Sequence, residues 1–172
     1  MIKTKLFLVI TVLMTVMFST FVYAYQFVVP VADYVNNVAV SDDSQIILIN
    51  GKEYTMSAAV YYSEKADSLM VPVRYICLAV GLPESAIKWD AANSAITIDA
   101  GRRQIWMQYE KSHYYLNRAL VPILNVNGGV GIVEIKDNRA YVPYNTIGEA
   151  LNITYELTED GTGVRYNFAT TM

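Results

Sequence analysis

The sequence predicts an α+β fold: antiparallel sheets of short strands carrying two short helices, arranged as two related halves. Three observations predict it. Short apolar runs alternate with turn clusters through most of the chain. Only two stretches in the body of the chain carry helical spacing, and both open at a proline. Those two stretches are related by a shift of 71 residues.

Taken in order, residues 1–24 read as an export signal. Lys3 and Lys5 supply a positive start, Leu6 to Phe18 an apolar run, and Val22-Tyr23-Ala24 small side chains at both positions before a cut at Tyr25. An uncleaved membrane anchor is the alternative, because no charge falls between Leu6 and Ala32. Gln26, Pro30 and the Ser19-Thr20 pair make a poor span centre, which favours cleavage. Either way the expected location is extracellular, or associated with the cell surface or cell wall. Residues 25–44 follow as a linker or N-terminal arm, apolar at Phe27-Val28-Val29 and polar at Asp42-Asp43. Such an arm could lie along a sheet edge, its own or a neighbour's.

Residues 45–168 read as one domain made of two repeats, about 45–116 and 117–168. Gln45 to Ile49 and Lys52 to Met56 flank Asn50-Gly51, a strong hairpin signal. Ala58 to Tyr62 is a further strand. Val71-Pro72 then opens a helix whose apolar positions Val73, Ile76, Cys77 and Val80 share one face before Gly81 ends it. Strands follow at Ile87 to Asp90, Ala95 to Asp99, Arg103 to Tyr109, His113 to Leu116, Leu120 to Leu124 and Ile132 to Ile135. In the second copy Val142-Pro143 opens a helix with Tyr144, Ile147, Gly148 and Leu151 on one face and Asn152 at its exit. Ile153 to Leu157 and Val164 to Phe168 close the fold around Glu159-Asp160-Gly161.

Val71-Pro72-Val73-Arg74-Tyr75-Ile76, Ala79-Val80-Gly81, Ile87-Lys88-Trp89-Asp90 and Ile96-Thr97-Ile98 together resemble the copper amine oxidase N-terminal domain, also called the stalk domain. Ile49-Asn50-Gly51-Lys52 fits that family's hairpin. Asn138 to Pro143 with Glu149-Ala150-Leu151 fits its strand-to-helix corner a second time. The second copy departs in having Asn145 for the family's Arg, Asn152 for its Gly, and Tyr155 near its Trp position. The resemblance implies a non-catalytic module, secreted or on the bacterial surface or wall, often repeated and often joined to hydrolases. It does not imply the oxidase, whose copper and tyrosine-derived quinone belong to a different and larger domain. No cofactor and no metal are expected.

Composition narrows the chemistry. The chain has 172 residues, 13 Lys+Arg against 16 Asp+Glu, one His and one Cys. A net charge of −3 argues against a nucleic-acid partner, which would need a basic face. One His and one Cys cannot build a zinc or copper site. A single cysteine in an exported chain leaves the fold to its apolar core, with Cys77 a buried thiol. His113 has no partner by spacing and reads as a solvated strand-end residue. Glu159-Asp160 and Asp42-Asp43 lack the alternating oxygens of a calcium loop and read as turn chemistry. Asn127 to Gly131 lacks the Lys-Ser/Thr of a phosphate loop and reads as a flexible hairpin connection.

Aromatic residues remain as candidates for binding, with 14 Tyr and 2 Trp. Alternation from Arg103 to Tyr109 puts Ile105, Met107 and Tyr109 on one face and Gln104, Trp106 and Gln108 on the other. An outward Trp between amides suits a sugar ring or a protein surface. Trp89 is expected at the core edge. The pairs Tyr61-Tyr62 and Tyr114-Tyr115 must each face both ways, so Tyr62 and Tyr114 join Trp106, Gln104 and Gln108 as candidate contacts. The expected partners are cell-wall polysaccharide or an envelope protein. A membrane enters only if the N-terminal segment stays uncleaved, and self-association would run through strand addition by the arm.

Overall fold

A computed structural model describes residues 37–167. The expected export segment, the arm as far as residue 36, and Phe168 lie outside the described residues. Three antiparallel sheets surround two helices. The first sheet joins β1 (Val38–Ser41), β2 (Ile46–Ile49) and β3 (Lys52–Thr55) to β13 (Thr154–Leu157) and β14 (Gly163–Asn167), in the order β13-β14-β1-β2-β3. The second is a meander of β6 (Ile87–Asp90), β7 (Ala95–Ala100), β8 (Arg103–Gln108), β9 (His113–Leu116) and β10 (Ala119–Pro122). The third orders β11 (Glu134–Lys136), β12 (Arg139–Pro143), β5 (Ser68–Pro72) and β4 (Tyr61–Ser63) side by side. The fold class is therefore α+β, as expected. Among the described residues no helix is long and apolar enough to cross a membrane.

Tight turns set the registers. Asn50-Gly51, Asn117-Arg118 and Asp137-Asn138 each hold both central residues at positive φ, the conformation of two-residue turns whose twist matches the flanking strands. Both helices start where a strand meets proline. Pro72 and Pro143 are the N-caps, and neither position needs an N–H. α1 (Val73–Ala79) buries Val73, Ile76, Cys77 and Ala79, while α2 (Tyr144–Leu151) buries Tyr144, Ile147, Ala150 and Leu151. Asn152 ends α2 at φ 59, and Gly81 follows α1 at φ 112. The strands feeding the two helices pair with each other, Val71 lying opposite Val142.

One large core lies between these layers. It takes Val38, Val40, Val164 and Tyr166 from the first sheet, Ile98, Ile105 and Met107 from the second, and the inner faces of both helices. A smaller cluster of Ala58, Ala66, Met70 and Tyr141 sits on the other side of the third sheet. β5 is buried at all five residues because it separates the two clusters. The third sheet is curled. Glu134 on one edge strand accepts hydrogen bonds from Tyr61 Oη at 2.7 Å and Ser63 Oγ at 2.6 Å on the opposite edge strand. Burial and the Glu134 carboxylate push the Tyr61 phenol well above its ordinary range.

Four expectations change. Residues 25–44 were read as linker or arm, but Val38–Ser41 is an internal strand of the first sheet, bonded to β14 and β2. Val38 and Val40 supply the reason, since both side chains enter the main core. The strand expected at Ala58 to Tyr62 is reduced to Tyr61–Ser63. Val60 is occupied by hydrogen bonds with Asp43 and Ser44, in a lone parallel bridge to Asp42. The strand expected to reach Leu124 stops at Pro122; the Ile123 N–H still bonds the Ser112 carbonyl at 2.8 Å, and Leu124 then turns into a bridge with Val130. The glycine-rich connection is pinned: buried Asn125 accepts from the Asn127 and Gly129 N–H groups and donates toward the Ala66 and Asp67 carbonyls.

Candidate functional site

The antiparallel register of the second sheet assembles its outer face. Trp106 in β8 lies between Thr97 of β7 and Tyr115 of β9. Ile105 and Met107, one step away on either side, are fully buried, as the alternation requires. The Trp106 and Tyr115 rings meet at 5.6 Å with a 58° tilt, a favourable aromatic pair. With Gln104 and Arg118 they line a shallow depression of about 310 Å³. Asn117 fixes the near end of this face. Its Oδ1 accepts the Gln104 N–H at 2.8 Å, and its own N–H bonds the Gln104 carbonyl.

The five expected contact residues divide. Trp106 and Gln104 belong to the depression. Gln108 is on the same side of β8, but its amide donates to the Asn93 carbonyl at 2.9 Å and holds the β6–β7 turn. Tyr62 is 54 % exposed, in the third sheet, with its hydroxyl bonded to Asp67. Tyr114 is corrected. It is only 2 % exposed, because it sits opposite Met107 on the core side of β9. Burial raises its phenol above the ordinary range, with the Glu149 charge a smaller contributor. Tyr115 takes the outward position instead. His113 packs edge-on to Tyr115 at 5.6 Å, and among the described residues no three His, Cys, Asp or Glu side chains converge as a metal site.

A second cleft, of about 220 Å³, lies where the third sheet, α1 and the edge of the second sheet meet. Sequence reasoning missed it. Trp89 was expected at the core edge and stands there 49 % exposed. It stands on the same side of β6 as buried Ile87, opposite Ile96, at the sheet edge where the core has run out. Ser57, Tyr75 and Arg139 face it across the cleft, with Arg74 and Asn138 at the rim. Ser57 Oγ and Tyr75 Oη are 2.5 Å apart, and Arg139 Nη2 donates to Ser57 Oγ at 2.8 Å. The hydrogen bonds from Ser57, helped by the Arg139 charge, hold the Tyr75 phenol below its ordinary range. Neither depression is lined by a carboxylate.

No curated protein and no solved structure was found to match the chain. The family model of the copper amine oxidase N-terminal domain matches residues 48–165. That span runs from within the first hairpin, through both proline corners, into the last strand. The chain therefore belongs to the copper amine oxidase N-terminal domain family.

Proposed function

We propose that this chain is a non-catalytic, secreted or cell-surface module of a bacterial envelope that binds cell-wall polysaccharide through the Trp106 face. In this reading residues 1–24 direct export, and the folded domain consists of two related copies of one strand-proline-helix corner. The opposition of Val71 and Val142, positions related by the 71-residue shift, supports the copies. The Trp106–Tyr115 pair carries the binding reading. It offers an aromatic plate beside the Gln104 side-chain amide, which has no hydrogen-bond partner among the described residues, and the Arg118 side chain. A plate rimmed by amide and guanidinium donors suits a sugar ring with its hydroxyls.

A second reading, a structural subunit joined by strand addition, is favoured by one strand. β10 is the edge of the second sheet, its Leu120 is 59 % exposed, and Leu124, Val126 and Val130 add exposed apolar surface in the loop that follows. One experiment separates the two. Purified protein is expected to sediment with peptidoglycan and to lose that retention on Trp106→Ala while remaining a monomer. Free oligomers with no retention would replace the first reading by the second.

A further inference from the structure

The Trp89 cleft has a surplus of hydrogen-bond donors. Tyr75 Oη accepts from the Ser57 N–H at 3.2 Å, and Ser57 Oγ accepts from Arg139. The two hydroxyls then share a single hydrogen bond, whichever of them donates. One hydroxyl hydrogen of the pair is left unspent in either arrangement. Arg139 spends one hydrogen on Ser57 and one on the Asp137 carbonyl at 2.8 Å, and keeps its others. Of the two arginines at this cleft, Arg74 is ion-paired with Glu84, while Arg139 has no carboxylate partner among the described residues. A chain of net charge −3 thus concentrates unpaired positive charge and free donors beside an exposed indole.

Such a wall complements an acceptor-rich anion attached to a ring. Its volume, about 220 Å³, is below the usual range for drug-sized ligands and leaves room for one ring-sized group. We propose that this cleft binds a single acidic sugar, its ring against Trp89 and its carboxylate on Arg139 and the Ser57–Tyr75 hydroxyl pair. The proposal rests on the polysaccharide reading above but uses a different face of the domain.

Trp106→Phe leaves Trp89 as the sole tryptophan, so its fluorescence reports this cleft alone. N-acetylmuramic acid is expected to change that emission saturably. N-acetylglucosamine, which lacks the carboxylate, should bind about tenfold more weakly, the loss of one charge-assisted contact. Arg139→Gln, checked for folding by circular dichroism, should erase the difference between the two sugars. Equal responses to both sugars, or none, in the Trp106→Phe protein would overturn the proposal without recourse to Arg139. So would tighter binding of N-acetylphenylalanine, which would make the cleft a reader of peptide carboxylates. Retention on peptidoglycan without any acid preference at Trp89 would sink the cleft and leave the Trp106 reading standing. An acid preference without retention would support the cleft and remove the Trp106 face.

Discussion

Gly148 shows how one absent side chain can set a packing contact. A Cβ there would overlap Cδ1 of the Tyr155 ring. That ring is held edge-on to Tyr144 at 5.8 Å, and its hydroxyl bonds Glu149 Oε1 at 3.0 Å, so it cannot easily retreat. Gly148→Ala is expected to cost roughly 1–3 kcal/mol in urea unfolding despite its better helix propensity. In a Tyr155→Leu background the same change should cost little or become stabilising; an equal cost in both would refute the contact. At this scale the sequence was partly legible. Strand alternation placed Trp106 outward because Ile105 and Met107 had to face the core. It could not choose between Tyr114 and Tyr115, because that choice depends on the β8–β9 register, which the Tyr109 to Ser112 connection sets. Trp89 was read at the core edge, but the cleft it walls was not, for a related reason. Alternation assigns a side of the strand, but not where along the strand the covering layer ends.

The elements divide by the range of the interactions that make them. Both helices were legible because proline, apolar spacing and an exit residue all lie within a few positions of each other. The hairpins at Asn50-Gly51 and Ala91 to Ser94 were legible for the same reason. β1 was not: the Asp42-Asp43 turn leads from it into β2, but its other partner, β14, lies at the far end of the described chain. Its removal gives a sharp test. A chain begun at Gln45 loses Val38 and Val40, each about 1.5–3 kcal/mol of burial, and leaves β2 and β14 each open along one edge. It is expected to lose its cooperative thermal transition; melting like the full chain would show that β1 is dispensable. The same strand limits any exchange between molecules, since residues 38–41 are already committed within the chain.

For the whole molecule, tyrosine does much of the work that disulfides do elsewhere. Tyr166 is buried, with its hydroxyl donating to the Tyr144 carbonyl at 2.9 Å, and burial drives its phenol well above 10.0. Tyr61, Tyr114, Tyr141 and Tyr144 are shifted the same way, with desolvation the leading cause in each. Tyr155 is pushed up to about 12 by burial and then by Glu149. A phenol raised on folding favours the neutral form. Its contribution is therefore complete below the ordinary value of 10.0 and is lost as pH rises through the folded value. Near-ultraviolet titration should show these phenols ionising together with unfolding, above the ordinary value of 10.0, with Tyr155 held up to about 12 while the fold lasts. Ionisation of all 14 tyrosines near pH 10 in a still-folded chain would contradict the packing described. Fold class and family were legible at this scale because they rest on many local signals at once, whereas the Trp89 cleft required four distant segments to be brought together. The pairing of Val71 with Val142 has a last consequence. Two peptides carrying one corner each would have to find one another by diffusion, and their union would dissolve on dilution. Tethered in a single chain, the same joint closes at a fixed effective concentration, so its integrity is indifferent to how scarce the protein becomes.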